Sequence, residues 1–266
     1  MKLVMNGALG RMGRSIITVA SEDPDIEVIG AVDLNQEQYG QDIGEILGIG
    51  FLGTTIVNNL SGVISDADVV VDFSMPDVAM KTAELCGKTK TPLVEGTTGL
   101  TPEMENEFKT LIAPVPCVKA PNMSIGVNLL FMLSALTASK LGIEYDVEIS
   151  EVHHRFKKDS PSGTARRLYE IIADILGSNL GENVVYGREG IIGERPKNEI
   201  GIHALRTGDV VGEHTVTFGT IGERVELVHK AHSRDSFAHG ALRAAKFVCQ
   251  AEPGLYDMQD VLGLRY

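Results

Sequence analysis

"VMNGALGRMGR", residues 4–14, sets Gly7, Gly10 and Gly13 between an apolar run and an amphipathic one. The run that leads in, "KLVMNG", reads as a strand, and Arg11–Ser21 reads as a helix that stops before Pro24. Glycine at a strand-to-helix turn lets the backbone approach a pyrophosphate, which then sits on the positive end of the helix. The spacing is G-x-x-G-x-x-G rather than the commoner G-x-G-x-x-G, so position carries more weight than pattern. Asp33 closes the next strand-like run, "IEVIGAVD", 20 residues past Gly13. An acid at that distance would hold the ribose hydroxyls of a dinucleotide. A plain glycine turn with a solvated acid satisfies the same residues, and both readings stand at this point.

Working outward, "ADVVVDFS", "TPLVEGTTG" and "VPCVKAPN" are further strand-then-turn units, with helical patterns over 76–87 and in "TPEMENEFKTLI". Short Val- and Ile-rich strands alternating with helices predict a parallel sheet covered on both faces. The stretch 33–59 is Gly-rich and polar and reads as a long loop with one short helix. "SIGVNLLFMLSALTASKL", residues 124–141, reads as a buried helix that leaves the first domain. Beyond it the pattern changes. "YDVEISEVHH", "GIHALRTGDVV", "EHTVTFGT" and "ERVELVHKA" follow as strands with one helix, 163–177, inserted. Strands in quick succession predict a mixed or antiparallel sheet, hence a second domain. The expected fold class is α/β, a Rossmann-like nucleotide-binding domain plus an α+β domain. The expected division is 1–123 for the nucleotide, 124–232 for substrate, and 233–266 as a helix and tail that return to the first domain.

Bulk properties narrow the function. The 266 residues carry a formal net charge of -12, with 43% apolar and 23% charged residues. An acidic globular chain of that kind argues against nucleic acid or an anionic membrane as partner. The three cysteines form no C-x-x-C pair, so neither a disulfide framework nor a zinc cluster is indicated. With no stretch of signal-peptide character at the N-terminus, a cytoplasmic location is expected. Between Arg14 and Lys81 there is no Lys or Arg. A 2′-phosphate would need a base just after Asp33, and "LNQEQ" follows instead, so NADH is expected to be favoured over NADPH. "GTTG" (96–99) and "APNMS" (120–124) end later strands, at the sheet edge where a nicotinamide would lie.

The segment "EVHHRFKKDSPSGTA", residues 151–165, raises a separate question, because it spends two of seven histidines side by side. Neighbouring strand side chains point to opposite faces, so His153 and His154 do not converge on one metal. Arg155, Lys157 and Lys158 make the stretch basic and suited to an anion. Gly163 and Thr164 open the next helix, where free backbone N–H groups would receive a carboxylate or phosphate. Ser162 or Thr164 acting as an ordinary helix cap is the competing reading. A histidine and a lysine beside an anion site read as proton donor and charge clamp for a reduction.

On "GALGRMGR", "VDFSMPD", "VEGTTG", "APNMSIGVN", "EVHHRFKKDSPSGTA", "GREGIIGER", "GDVVGEHTVTF" and "GERVELVHKA", in that order, the whole chain resembles the dihydrodipicolinate reductases of bacterial lysine and diaminopimelate biosynthesis. The resemblance implies reduction of a cyclic dicarboxylate, 4-hydroxy-tetrahydrodipicolinate, to tetrahydrodipicolinate with loss of water. It implies His153 as proton donor or acceptor and Lys157 as proton donor, with His154 and the Gly163 and Thr164 backbone as carboxylate contacts. Cofactor contacts are implied at Gly7, Ala8, Leu9, Gly10, Arg11, Met12 and Asp33. They are implied also at Gly96, Thr97, Thr98, Ala120, Pro121, Asn122 and Met123. No metal is implied, and the assembly is a homotetramer joined through the second domain's sheet. Two departures stand out. Ser160 replaces a common alanine, and Leu34 stands where some members carry an arginine, in line with NADH. The alternatives are another NADH-dependent reductase of a small dicarboxylate, or a non-catalytic nucleotide-binding homologue. A short-chain dehydrogenase is set aside because no tyrosine has a lysine four residues on.

Overall fold

The computed structural model describes residues 1–177 and 184–265. The chain divides into two compact units, Met1–Ile125 with Arg234–Tyr266, and Gly126–Ser233.

In the first unit β1 (Lys2–Asn6), β2 (Glu27–Val32), β3 (Ile56–Val57), β4 (Val69–Asp72), β5 (Leu93–Glu95), β6 (Pro116–Lys119) and β12 (Gly254–Tyr256) form one sheet. Its order is β12-β6-β5-β4-β1-β2-β3 and every pairing is parallel. Strand side chains alternate between faces, and here both faces are covered. Leu3, Met5, Val69, Val71, Val94 and Val118 belong to one core cluster, with Ile16 and Ile17 of α1 (Arg11–Ser21) and the alanines of α7 (Asp235–Val248). Val4, Val70, Leu93 and Cys117 belong to another, with Ala83 of α3 (Pro76–Thr89) and Phe108 of α4 (Pro102–Leu111). That is why these strands are apolar throughout rather than alternating. Chain order reverses between β1 and its neighbour β4, and ligands of such sheets bind where the order reverses, beyond the strands' C-terminal ends.

Residues 33–59 are more ordered than a long loop. They contain α2 (Ile43–Leu47) and the edge strand β3. Asp42 holds them together, its carboxylate accepting the backbone N–H groups of Gly44, Glu45, Leu52 and Thr54 at 2.9–3.2 Å. Burial opposes its ionisation, but these four donors leave its carboxyl below the ordinary range.

The second unit has a mixed sheet in the order β11-β10-β7-β9-β8, from β7 (Asp146–His153), β8 (Val184–Tyr186), β9 (Ile200–Arg206), β10 (Gly212–Thr220) and β11 (Glu223–Ala231). β10 runs antiparallel to β7 and β11, whereas β7, β9 and β8 are parallel. One face packs on α5 (Ile125–Leu141) and α6 (Gly163–Leu176), burying Leu130, Phe131, Leu168 and Ile172 against Ile149, Val216 and Phe218. The expectation of a buried α5 needs correction. With the turn after it the helix spans Ile125–Glu144, long and apolar enough to cross a membrane by length and composition. Val127, Leu130, Phe131 and Ala138 nonetheless sit in the unit's core, while Leu129 and Leu136 are exposed. The helix is apolar all round but packed along one stripe.

Candidate active site

The glycine turn after β1 is built as the spacing demands. Gly7 has φ 81°, and a Cβ there would stand 2.6 Å from the Phe73 carbonyl oxygen. Gly13 lets α1 press onto the turn, since a Cβ on it would meet the Gly7 oxygen at 2.1 Å. Gly7 and Ala8 donate their N–H groups to the Val32 carbonyl at 2.9 and 3.0 Å, which locks the turn against the end of β2. Asp33 lies one residue past β2. Its carboxylate accepts Leu9 N–H at 2.8 Å and Asn35 N–H at 3.1 Å, so it braces the turn as well as facing the cleft.

That cleft has a volume of about 690 Å³ and opens beyond β1, β2 and β4. Of the residues expected to hold the cofactor, Gly7, Leu9, Gly10 and Asp33 line it. Ala8 is buried, Met12 half-buried and Arg11 exposed at the start of α1. Gly96, Thr97 and Thr98 follow β5, and Ala120, Pro121, Asn122 and Met123 follow β6, at the same C-terminal sheet edge but outside the cleft lining. Beneath the first of these turns Asp72 and Glu95 pair in register, both fully buried. Asp72 accepts Asn6 Nδ2 at 2.9 Å, and Glu95 accepts Thr97 N–H at 2.6 Å. Burial raises both carboxyls, and the charge of Asp72 raises Glu95 further.

Sequence reasoning missed Lys81, which lines the cleft with Val78 and Leu85. The signal was there: positions 78, 81 and 85 share one helical face.

In the second unit, β7 alternates cleanly, with Val147, Ile149, Glu151 and His153 on the buried face. The apolar pair fills the core and the polar pair ends the strand. His153 Nδ1 lies 2.6 Å from Glu151 Oε2. Arg206 forks onto the same carboxylate, Nη1 to Oε2 at 2.7 Å and Nη2 to Oε1 at 2.9 Å, and Ser162 N–H donates to Oε1 at 2.9 Å. Burial opposes the charge of Glu151, but His153, Arg206 and Ser162 hold its carboxyl down to about 2.

His214 of β10 packs edge-on to His153, ring centroids 5.2 Å apart, and its Nε2 is 3.1 Å from Ser162 Oγ. Burial, with His153 beside it, pushes His214 down to about 3, so its ring is neutral. Ser162 caps α6 by accepting Ala165 N–H at 3.2 Å, so the capping reading of this serine is correct. Gly163 faces open space, with nothing within 4 Å of where its Cβ would be. Lys157 Nζ pairs with Asp159 Oδ1 at 2.9 Å. Glu151, Arg206 and His214 were not singled out from sequence, for they come together only when β7, β9 and β10 pair.

Residues 1–123 match the family described as dihydrodipicolinate reductase, N-terminus, and residues 126–262 match its C-terminus. The chain belongs to the dihydrodipicolinate reductase family. Reductases of this family serve lysine and diaminopimelate biosynthesis and bind a pyridine nucleotide. The chain is 50% identical over 266 residues to the 4-hydroxy-tetrahydrodipicolinate reductase of Syntrophus aciditrophicus, covering 100% of this chain and 99% of that one. It is 49% identical over 265 residues to the enzyme of the same name from Hahella chejuensis, covering 99% of each. Among solved structures, the dipicolinate-bound dihydrodipicolinate reductase from Paenisporosarcina sp. TG-14 superposes with TM-score 0.78 at 26% identity, over 98% of each chain. An amine dehydrogenase from Mycobacterium smegmatis, 14% identical with TM-score 0.63 over 100% of this chain and 97% of that one, shares the fold alone. A family that binds a pyridine nucleotide fits the cleft found here, where glycine backbone and a carboxylate meet beyond β1 and β2.

Proposed function

We propose that the chain reduces 4-hydroxy-tetrahydrodipicolinate to tetrahydrodipicolinate, taking up one hydride and one proton and releasing one water. The observation that carries this reading is the buried Glu151–His153 pair beside the open start of α6, in a reductase of this family. The reduced nicotinamide supplies the hydride when bound. Gly7, Ala8, Leu9, Gly10, Arg11, Met12 and Asp33 hold the nucleotide's pyrophosphate and ribose, and the turns 96–98 and 120–123 its nicotinamide end. His153 exchanges a proton through Nε2. Lys157 exchanges its exposed partner Asp159 for the substrate, as proton donor and counter-charge. His154 and the Gly163 and Thr164 backbone receive the substrate's carboxylates, in line with the open face of Gly163.

NADH is the favoured cofactor, supported by the exposed apolar Leu34 next to Asp33. The assembly is a homotetramer joined through the mixed sheet. Leu205, Val225 and Val228, exposed apolar residues on its strands, support that. Sedimentation would read the mass directly. A cytoplasmic location accords with the biosynthetic role.

The test is loss of reduced-nicotinamide absorbance with freshly generated dihydrodipicolinate synthase product, once with each cofactor. Turnover with NADH preferred is expected. Lys157→Ala should lower it by at least about 100-fold, the scale of a lost proton donor, with NADH affinity unchanged. Loss of NADH binding in that variant would refute the role of Lys157. NADH binding without turnover of the wild type would refute the reaction.

A further inference from the structure

We infer that Glu151 is a positioning residue that fixes the proton state of His153 and, through one saturated carboxylate, ties His153 to the loop that carries Lys157. This rests on the proposed role of His153 in the preceding section.

A carboxylate offers about four acceptor positions and no proton when ionised. Glu151 has four donors on it: His153 Nδ1 and Arg206 Nη1 at Oε2, Ser162 N and Arg206 Nη2 at Oε1. No acceptor position is left for a substrate, and the side chain is fully buried. It acts through His153 or not at all.

Its effect on His153 follows from donor and acceptor roles. An ionised carboxylate only accepts, so the proton of the neutral imidazole sits on Nδ1, and Nε2 is left with a lone pair. Nε2 is therefore the atom that exchanges protons. The strand beside it is kept clear there: a Cβ on Gly212 would stand 3.1 Å from Nε2.

The same carboxylate also sets the loop between β7 and α6. Ser162 N–H binds it directly at the loop's end. Arg206 reaches from it to the Asp159 carbonyl oxygen at 2.7 Å. The segment that bears Lys157 is thus pinned to the group that orients His153, and the start of α6 with it.

Glu151→Gln keeps the shape and removes the charge. In protein carrying 15N-labelled histidine, the His153 signals are identified by their loss in His153→Gln. Spectra taken at a pH where the ring is neutral should show, for the wild type, a protonated Nδ1 and a bare Nε2, and Glu151→Gln should move the proton toward Nε2. Its kcat should fall about 100-fold, while its circular-dichroism spectrum, a check that both units are folded, matches wild type and its affinity for NADH stays within about 2-fold. Wild-type tautomer and wild-type kcat in Glu151→Gln would overturn the inference and leave Glu151 a structural ion pair.

Should Glu151→Gln fail to fold, Gly212→Ala tests the Nε2 assignment with Glu151 intact. Loss of kcat with thermal stability kept is expected, and full activity would overturn it. Failure of the underlying reading is separable, since it appears as undiminished turnover in His153→Gln whatever the tautomer.

Discussion

Lys81 shows what one residue's place in the fold adds to its place in the chain. In sequence it merely ends the stretch that lacks Lys and Arg. Folding brings it to the cleft lined by Asp33, Leu34 and Asn35, where among the lining residues it is the one Lys or Arg. A lone ammonium there is a modest attraction for a phosphate on the adenosine ribose. Lys81→Met should therefore raise the KM for NADPH by about 10-fold, roughly one charge-assisted contact, and leave NADH nearly unchanged. Equal losses with both cofactors would assign Lys81 to the shared part of the nucleotide instead. The histidine pair stood out in sequence for a different reason: basic residues and a helix start follow it within a dozen positions. Glu151 lies two residues from His153 and was passed over, because its other partner, Arg206, sits far along the chain and only strand pairing joins them.

At the scale of elements, close approach decides which glycines matter. Gly13→Ala would force α1 off the turn, given contacts of 2.1 Å to the Gly7 oxygen and 2.8 Å to Ala8 Cα. Overpacking of this kind costs about 1–3 kcal/mol. A lower melting temperature and weakened NADH binding are expected, both read by thermal denaturation with and without NADH. Gly163→Ala is the contrast, because its Cβ would project into open space at the first position of α6. The fold should tolerate it, while the KM for the dicarboxylate rises as the methyl enters the room proposed for it. Unchanged KM would move the carboxylate site elsewhere. α1, α6 and β7 were legible because one-sided burial imposes a period on them. β3 and β8, of two and three residues, are too short to show one, and they owe their existence to the strands they pair with.

For the whole molecule, burial of ionisable groups couples stability to pH. His214 titrates near 3 when folded and near 6.5 when unfolded. Between those values the unfolded chain binds more protons, so stability falls as pH falls, by up to about 1.4 kcal/mol per pH unit. Glu148 of β7, where burial is outweighed by Arg188, His203 and Arg195, and Glu151 are held down to about 2 from 4.5 and act in the same direction at lower pH. Their contribution is complete above 4.5 and is lost as pH falls through 2. Burial lowers His229 as well and adds to this effect, whereas Asp72 and Glu95, both raised by burial, bind protons more readily when folded and oppose it. The share of His214 is therefore read from urea midpoints between pH 7 and 4.5 as the difference between wild type and His214→Gln. His214→Gln should flatten that upper part of the curve and leave the steeper loss below pH 4.5. A decline unaffected by the substitution would place the acid sensitivity in another group.

The first unit is discontinuous, its sheet edge β12 and the alanine face of α7 arriving only after the whole of Gly126–Ser233. A ribosome emits the chain from its N-terminus, so the glycine turn is synthesised first and completed last. Until α7 emerges, the face of Leu3, Met5 and Val71 has α1 but lacks the second helix that covers it. The continuous second unit meets no such wait. The second unit is thus free to mature ahead of the first, and truncation near the C-terminus would strike the first unit's sheet rather than the second's.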